Sequence, residues 1–223
     1  MTTIAIIGAG PGLGAAVTRR FGREGYDVAL IARDRARLDA LVADLAGDSV
    51  TARGFSADVR DPKSLQAALD AAHATLGPVE ILQYSPVPHR DFMRPVLETT
   101  PADLTGPVEF SVYGPVAAVQ QVLPGMRALG RGSILFVNGG SGARPNPKVA
   151  GTSIAFAGET AYARMLHDTL GTEGIQAGQL IIPGAIQPGH PTHDPDILAG
   201  RLWHLHTHPD EFRVFADDMP PAA

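Results

Sequence analysis

A doubly wound α/β fold, a parallel sheet with helices on both faces, is predicted by three features of the 223-residue chain. Short β-branched runs alternate along its length with segments of helical periodicity, the pattern that successive βαβ units leave in a sequence. The first of those runs passes directly into a glycine-rich turn, Gly8-Ala9-Gly10-Pro11-Gly12-Leu13-Gly14. The composition, 44% hydrophobic and 18% charged, supplies enough apolar surface for one large core. One domain is expected over residues 1–218, with a loose tail at 219–223.

Taken in order, Thr3-Ile4-Ala5-Ile6-Ile7 reads as the first strand, and Leu13, Ala16, Val17, Arg20 and Phe21 keep helical spacing until Gly25 closes the segment. Val28 to Ala32 is strand two. Asp34 caps a helix whose apolar stripe is Leu38, Leu41, Val42 and Leu45, and strand three lies around Val50 to Phe55. Asp61-Pro62 starts the next helix, because a capping Asp followed by proline at the first helical position leaves no hydrogen bond unmade. Its stripe is Leu65, Ala68, Leu69 and Ala72, and Val79 to Gln83 is strand four.

The stretch that follows carries Pro86, Pro88, Pro95 and Pro101 and resolves into no regular element. Val112, Val116, Val119 and Leu123 mark a helix that Pro115 should kink near Ser111, and Ile134 to Val137 is strand five. Ile154, Ala161, Tyr162, Met165 and Thr169 line a further helix, and Leu180 to Ile182 ends strand six at Pro183-Gly184. Asp194-Pro195 opens a last helix to about His206, and Phe212 to Phe215 closes the sheet as strand seven.

The formal net charge is -5, and no run of Lys or Arg exceeds the pair Arg19-Arg20, so the electrostatic footprint of a nucleic-acid or anionic-membrane binder is missing. Cysteine is absent, which excludes disulfides, thiolate nucleophiles and Cys-ligated zinc. Met1 leads straight into the first strand without a charged leader or a long apolar stretch, so a cytoplasmic location is expected. The expected partners are a small-molecule substrate and further copies of the chain.

The glycine turn opens a helix, where backbone N–H groups and the helix dipole favour a pyrophosphate. The common G-x-G-x-x-G spacing fails, since its third glycine falls on Leu13, whereas G-x-x-x-G-x-G fits Gly8, Gly12 and Gly14. Asp58-Val59 follows strand three, and Gln121-Val122-Leu123-Pro124-Gly125-Met126, Gly132-Ser133-Ile134, Gly174-Ile175 and Pro183-Gly184 stand at matching places further on. With these segments the chain resembles the short-chain dehydrogenase/reductase family over nearly its whole length. The resemblance implies a Rossmann-like sheet and a dinucleotide cofactor. It implies Gly8, Gly12, Leu13 and Gly14 on the pyrophosphate side, Asp58 and Val59 at the adenine, Ser85 at the adenine ribose, and Pro183, Gly184 and Ile186 around the nicotinamide. Asn138 lies at the carboxyl end of strand five, where ligands bind in open α/β sheets.

Cofactor choice falls at the end of strand two, where an acidic residue would hold the ribose 2′-hydroxyl of NAD(H). That position is Ala32, and Arg33 follows it, as in NADP-dependent relatives, with a guanidinium suited to a 2′-phosphate. Asp34 suits a helix cap better than a ribose contact. NADP(H) is therefore expected over NAD(H).

The same resemblance implies a tyrosine acid or base, a lysine four residues later, a serine after strand five and an upstream asparagine. The four tyrosines, Tyr26, Tyr84, Tyr113 and Tyr162, are followed four places on by Leu30, Pro88, Ala117 and Leu166, and the lysines are Lys63 and Lys148. Aligned back from Gly174-Ile175, the tyrosine and lysine positions hold Thr152 and Phe156; anchored three residues later, they hold Ala155 and Glu159. The serine site falls on Gly139 or Gly140 and the asparagine site on Ser111. Replacement proton donors are Tyr84, just past strand four, Tyr113, and His190 in the loop that covers nicotinamide in relatives.

His190-x-x-His193 and His204-x-His206-x-His208 raise the question of a metal, but His206 points away from the face that His204 and His208 share on a helix, and no paired carboxylate accompanies them. No metal is expected. The expected function is an NADPH-dependent oxidoreductase with a non-standard site, reducing a small carbonyl, imine or activated alkene by hydride transfer. A cofactor-binding protein without turnover and a redox-neutral enzyme are the alternatives. In relatives, the helices carrying Val112 to Leu123 and Ile154 to Thr169 pair across a two-fold axis, so a homodimer or homotetramer is expected.

Overall fold

The computed structural model describes residues 2–219. Seven strands, β1 (Thr3–Ile7), β2 (Asp27–Ala32), β3 (Ala52–Ser56), β4 (Val79–Tyr84), β5 (Gly132–Gly139), β6 (Ile175–Ile182) and β7 (Arg213–Phe215), are laid down in that order along the chain. They pair in one parallel sheet in the spatial order β3-β2-β1-β4-β5-β6-β7. The order reverses between β1 and β4, and a crevice opens there beyond the carboxyl ends of the strands.

Both faces of the sheet are covered, so its central strands read as nearly continuous apolar runs. Ile4 and Ile6 of β1 pack into one layer with α1 (Leu13–Gly22), α2 (Arg35–Leu45) and α7 (Pro195–Thr207). Ala5 and Ile7 point the other way, against α3 (Pro62–Leu76), α5 (Gly114–Leu129) and α6 (Ala150–Leu170). The expected caps form: Asp34 accepts from the Arg37 N–H at 3.1 Å, Asp61 from Lys63 at 3.0 Å, and Asp194 from Asp196 at 2.8 Å.

Four expectations need correction. The proline-rich stretch contains a helix, α4 (Pro101–Val108), begun by Thr100 and Asp103, whose carboxylate accepts from the Thr100 N–H at 2.9 Å and hydroxyl at 2.7 Å. The sequence Thr-Pro-Ala-Asp is a capping signature that the surrounding prolines obscured. The kink foreseen from Pro115 is a π-helical turn, Glu109–Tyr113, inserted between α4 and α5. Most of the stripe drawn for α6 lies on its outer face: Ile154, Ala161, Met165 and Thr169 are exposed, while Tyr162 packs on the core beside Phe136, and Thr152, Phe156, Glu159 and Ala163 are buried. The apolar stripe left out Thr152 and Glu159, which the pocket and a hydrogen bond to Asn138 respectively keep inside. β5 and β6 also extend beyond Ile134 to Val137 and Leu180 to Ile182, starting at Gly132 and Ile175. Of the expected tail at 219–223, only Met219 falls within the described residues.

Phe21 ties α1 to α7, fully buried with its ring 5.1 Å from that of Trp203 and 6.1 Å from that of Tyr26, both edge-on. Phe21→Ala should lower the unfolding free energy by about 3–5 kcal/mol, the usual cost of emptying such a site. Chemical denaturation measures it, and a loss below about 1 kcal/mol would contradict this packing.

Candidate active site

The site begins at the turn between β1 and α1. Gly8 has φ +88°, and a Cβ there would lie 2.7 Å from the Ser85 carbonyl carbon and closer still to the Pro86 backbone. Only glycine permits both the conformation and the approach. Gly8 and Ala9 donate to the Ile31 carbonyl at 2.9 and 3.1 Å, which aims the chain into α1. Gly12 stands at the N-cap of α1 without a side-chain cap, and a Cβ on Gly12 or Gly10 would meet only open space. Of the first-turn N–H groups, Ala15 donates to the Gly10 carbonyl at 3.0 Å, while Leu13 and Gly14 line the crevice, with no acidic side chain in that turn to repel an anion.

At the end of β2, Arg33 is exposed and its carbonyl accepts from Ser56 Oγ at 2.9 Å. Asp34 is engaged by the α2 cap and by Arg37, 3.4 Å away, and Arg35 pairs with Asp39 at 2.9 Å. Arg33 makes no ion pair among the described residues. After β3, Asp58 accepts from the Arg60 N–H at 3.0 Å and Val59 is buried. Ser85, after β4, donates to the Ile7 carbonyl at 3.3 Å and accepts from Gln83 at 2.8 Å.

A cavity of about 570 Å³ runs from the glycine turn across the ends of β4, β5 and β6. Gly8, Gly12, Leu13, Gly14 and Ser85 wall one end, and Asn138, Gly184 and Ile186 belong to the other. Arg33, Asp58, Val59 and Pro183 stand outside the wall. Beyond the glycine turn the wall is apolar, with Val87, Met93 and Ile186 exposed at the opening and Phe156 and Ile182 buried, and it carries polar side chains only on Asn138, Ser141 and Thr152. Among the described residues, none of those lining the cavity has a titratable side chain. Thr152 is 6% exposed, and its hydroxyl oxygen is buried without a hydrogen-bond partner. Of the two alignments left open by the sequence, Thr152 and Phe156 are the pair that reaches the cavity; Ala155 and Glu159 do not.

Glu159 lies behind this wall and is fully buried. Asn138 Nδ2 donates to its carboxyl at 3.0 Å, and Asn138 Oδ1 accepts from Gln179 Nε2 at 2.7 Å. Gln179 also donates to Thr160 at 2.8 Å and accepts from Arg213 at 2.8 Å. The array spans α6, β5, β6 and β7 and holds both ends of the Asn138 amide. Burial pushes the Glu159 carboxyl up to about 8, against the opposing effect of hydrogen bonds with Asn138 and Ser111.

The candidate proton donors are placed elsewhere. Tyr84 is buried on the α5 side of the sheet and donates to the Phe110 carbonyl in the π-helical turn. Burial, with the negative charges of Glu159 and Asp58, holds its phenol well above the ordinary value. Tyr113 projects from that turn, 58% exposed. His190 bonds His193, Nδ1 to Nδ1 at 3.2 Å, and does not line the cavity. His193 covers Gly184, and its Nε2 is buried and unpartnered. His204 stacks on His208 at 3.9 Å, while His206 bonds Ser133 at 2.7 Å on the far side. Among the described residues no three His, Cys, Asp or Glu side chains gather in a way that could hold a metal.

The Glu159 array escaped the sequence reading, which considered that residue only as a lysine position. The signal was present in the spacing of Thr152, Phe156, Glu159 and Ala163, one continuous helical face on which a carboxyl must be buried.

The sequence profile described as short chain dehydrogenase matches residues 2–193. The chain is 27% identical over 188 residues to a fatty acyl-CoA reductase of Mycobacterium tuberculosis, covering 83% of this chain but 63% of that one. It thus spans less than two thirds of that relative's length. The crystal structure of a short-chain dehydrogenase from Rhodopseudomonas palustris is 26% identical and superposes over 99% of both chains with a TM-score of 0.84. An NADPH-bound short-chain oxidoreductase of Pseudomonas aeruginosa PAO1 containing an atypical catalytic center shares the fold, with a TM-score of 0.82 at 22% identity over 99% of this chain and 98% of that one.

The buried carboxyl gives a pH test. Between an ordinary glutamate value of about 4.3 and about 8, the folded chain keeps a proton that the unfolded chain has released. Stability contributed by Glu159 is therefore present below that window and lost as pH rises through it. Glu159→Gln, which cannot ionise, should gain in Tm over the parent steadily from pH ~5 to pH ~8; a difference that stays constant across the range would contradict a neutral Glu159.

Proposed function

The chain belongs to the short-chain dehydrogenase family, and on that premise we propose that it is an NADPH-dependent oxidoreductase working without the family's tyrosine and lysine. One observation carries the proposal: an unobstructed helix N-terminus behind Gly12 opens into the same cavity as an apolar chamber at the ends of β5 and β6. The residues present fit the cofactor. The first-turn N–H groups of α1 receive the pyrophosphate, Ser85 the adenine ribose, and Asp58 and Val59 the adenine. Arg33, with no carboxylate among the described residues to hold it, takes the 2′-phosphate. Pro183, Gly184 and Ile186 bracket the nicotinamide, and Asn138 lies beside it with its amide locked by Glu159 and Gln179.

A reduced nicotinamide supplies hydride to an electrophilic carbon of a small carbonyl, imine or activated alkene. The chain contributes binding, orientation and exclusion of water. With no titratable side chain on the wall among the described residues, reduction either needs no proton, as with an iminium, or draws it from solvent. The same bare wall favours a second reading, a protein that holds NADP(H) without turnover. A redox-neutral reaction in the same pocket is a third. No helix among the described residues is long and apolar enough to cross a membrane. The exposed Tyr113, Ile154 and Met165 support self-association of the chain as a homodimer or homotetramer.

Two measurements test the reading. Arg33→Ala should weaken NADPH binding by at least about ten-fold while leaving NADH binding within about two-fold, as expected for loss of a charge-assisted phosphate contact; equal NADPH affinity in the two proteins would remove the cofactor assignment. Oxidation of NADPH by the loaded protein should occur with some member of a panel of carbonyls, imines and activated alkenes and vanish in Gly12→Asp. Oxidation that persists in that variant sinks the reductase reading, and tight binding with no turnover selects the second.

A further inference from the structure

The apolar chamber carries information about what enters it. Its rim exposes Val87, Met93 and Ile186 to solvent at 83%, 45% and 39%, three apolar side chains lining one opening. Apolar surface gathered at a cavity mouth is the usual mark of a surface that an apolar ligand covers. Deeper in, Phe156 and Ile182 continue the apolar wall. Against it stands one buried polar group with unused capacity: the Thr152 hydroxyl is unpartnered, whereas the Asn138 amide is held at both ends and Ser141, the other polar side chain there, is only half-buried. No carboxylate, imidazole, ammonium or guanidinium lines the chamber among the described residues, so a charged substrate would lose its hydration without gaining a counter-charge.

We infer that the substrate is an uncharged compound with an apolar body and a single carbonyl-type oxygen, seated so that this oxygen accepts a hydrogen bond from Thr152 Oγ1 and the body runs along Phe156 toward Met93, Val87 and Ile186. The inference rests on the reductase reading for the identity of the occupant, but the selectivity it describes is a property of binding. Thr152 is thereby the residue that fixes the orientation of the substrate, and the apolar rim sets its class.

The test uses the full chain loaded with NADPH and two matched probes, a medium-chain methyl ketone and the same ketone with a carboxylate at its far end. Binding is followed by the change in nicotinamide fluorescence, and turnover separately by loss of NADPH absorbance. The uncharged ketone should bind at least about ten-fold more tightly than its carboxylate. Thr152→Val, which keeps the shape and removes the hydroxyl, should weaken the ketone by roughly five- to ten-fold with the NADPH affinity and Tm unchanged, and Thr152→Ser should restore most of the loss. Equal affinity for the two probes, no detectable binding of the ketone, or a Thr152→Val protein that binds it like the parent would each overturn the inference. Selective, Thr152-dependent binding with no NADPH oxidation by any substrate would uphold it and remove the reductase reading instead.

Discussion

At Gly8 two stretches of backbone meet with no room for a side chain between them. The close approach of Gly8 to Ser85 and Pro86 joins the carboxyl ends of β1 and β4, the two strands at which the spatial order of the sheet reverses. Because the chain leaves β1 with φ +88°, it turns at once into α1, whose N-terminus faces the crevice that the reversal creates. A Cβ at that point would push the β4 segment away and open the wall that Ser85 and Val87 contribute to the cavity. The features of this end of the cavity follow from this contact: the direction of the first-turn N–H groups, the empty space over Gly12, and the position of Ser85 in the wall.

On the other side of the crevice the fold is kept and the chemistry of the wall is altered. The inner face of α6 carries Thr152, Phe156 and Glu159 in successive turns. Thr152 and Phe156 face the cavity, and Glu159 lies one turn further along, where it meets Asn138. A buried carboxyl is tolerated there because burial, which pushes it up to about 8, keeps it mostly protonated at neutral pH, and because it is hydrogen-bonded, a state far less costly than a buried charge. The array from Glu159 through Asn138 and Gln179 to Arg213 stitches α6 to three adjacent strands. Its effect at the site is to fix a neutral amide in the wall. The pocket thus has one wall amide held at both ends and, among the described residues, no titratable side chain lining it.

Much of this was legible in the residues. The strand-helix alternation and the spacing of Gly8, Gly12 and Gly14 specified the sheet and its crevice, because glycine positions and apolar periodicity are set by local backbone geometry. The caps at Asp34, Asp61 and Asp194 were legible for the same reason. What the sequence hid depends on long-range contacts. Helix α4 lay among prolines that read as loop, and although the spacing of Thr152, Phe156, Glu159 and Ala163 marks one buried face of α6, the groups that receive Glu159, Asn138 on β5 and through it Gln179 on β6, are brought there by pairing across the sheet. Tyr84 shows the reverse case: its position after strand four placed it near the cofactor, but alternation along β4 turns the phenol to the opposite face, onto the Phe110 carbonyl. Absences were the most legible feature of all, since two lysines and four tyrosines leave no Tyr-x-x-x-Lys arrangement anywhere in the chain.

The central claim is that the cofactor half of the site is intact while its proton-transfer half has been replaced by a wall without titratable groups. A crystal structure of the NADPH complex tests it directly. The account predicts the pyrophosphate on the first-turn N–H groups of α1, the 2′-phosphate on Arg33, and the nicotinamide facing Thr152 and Phe156 with no Asp, Glu, His, Lys or Tyr side chain within about 3.2 Å of the space over its C4 atom. A 2′-phosphate bound away from Arg33, or a titratable side chain such as Tyr84, His190 or Glu159 swung into that space, would contradict it.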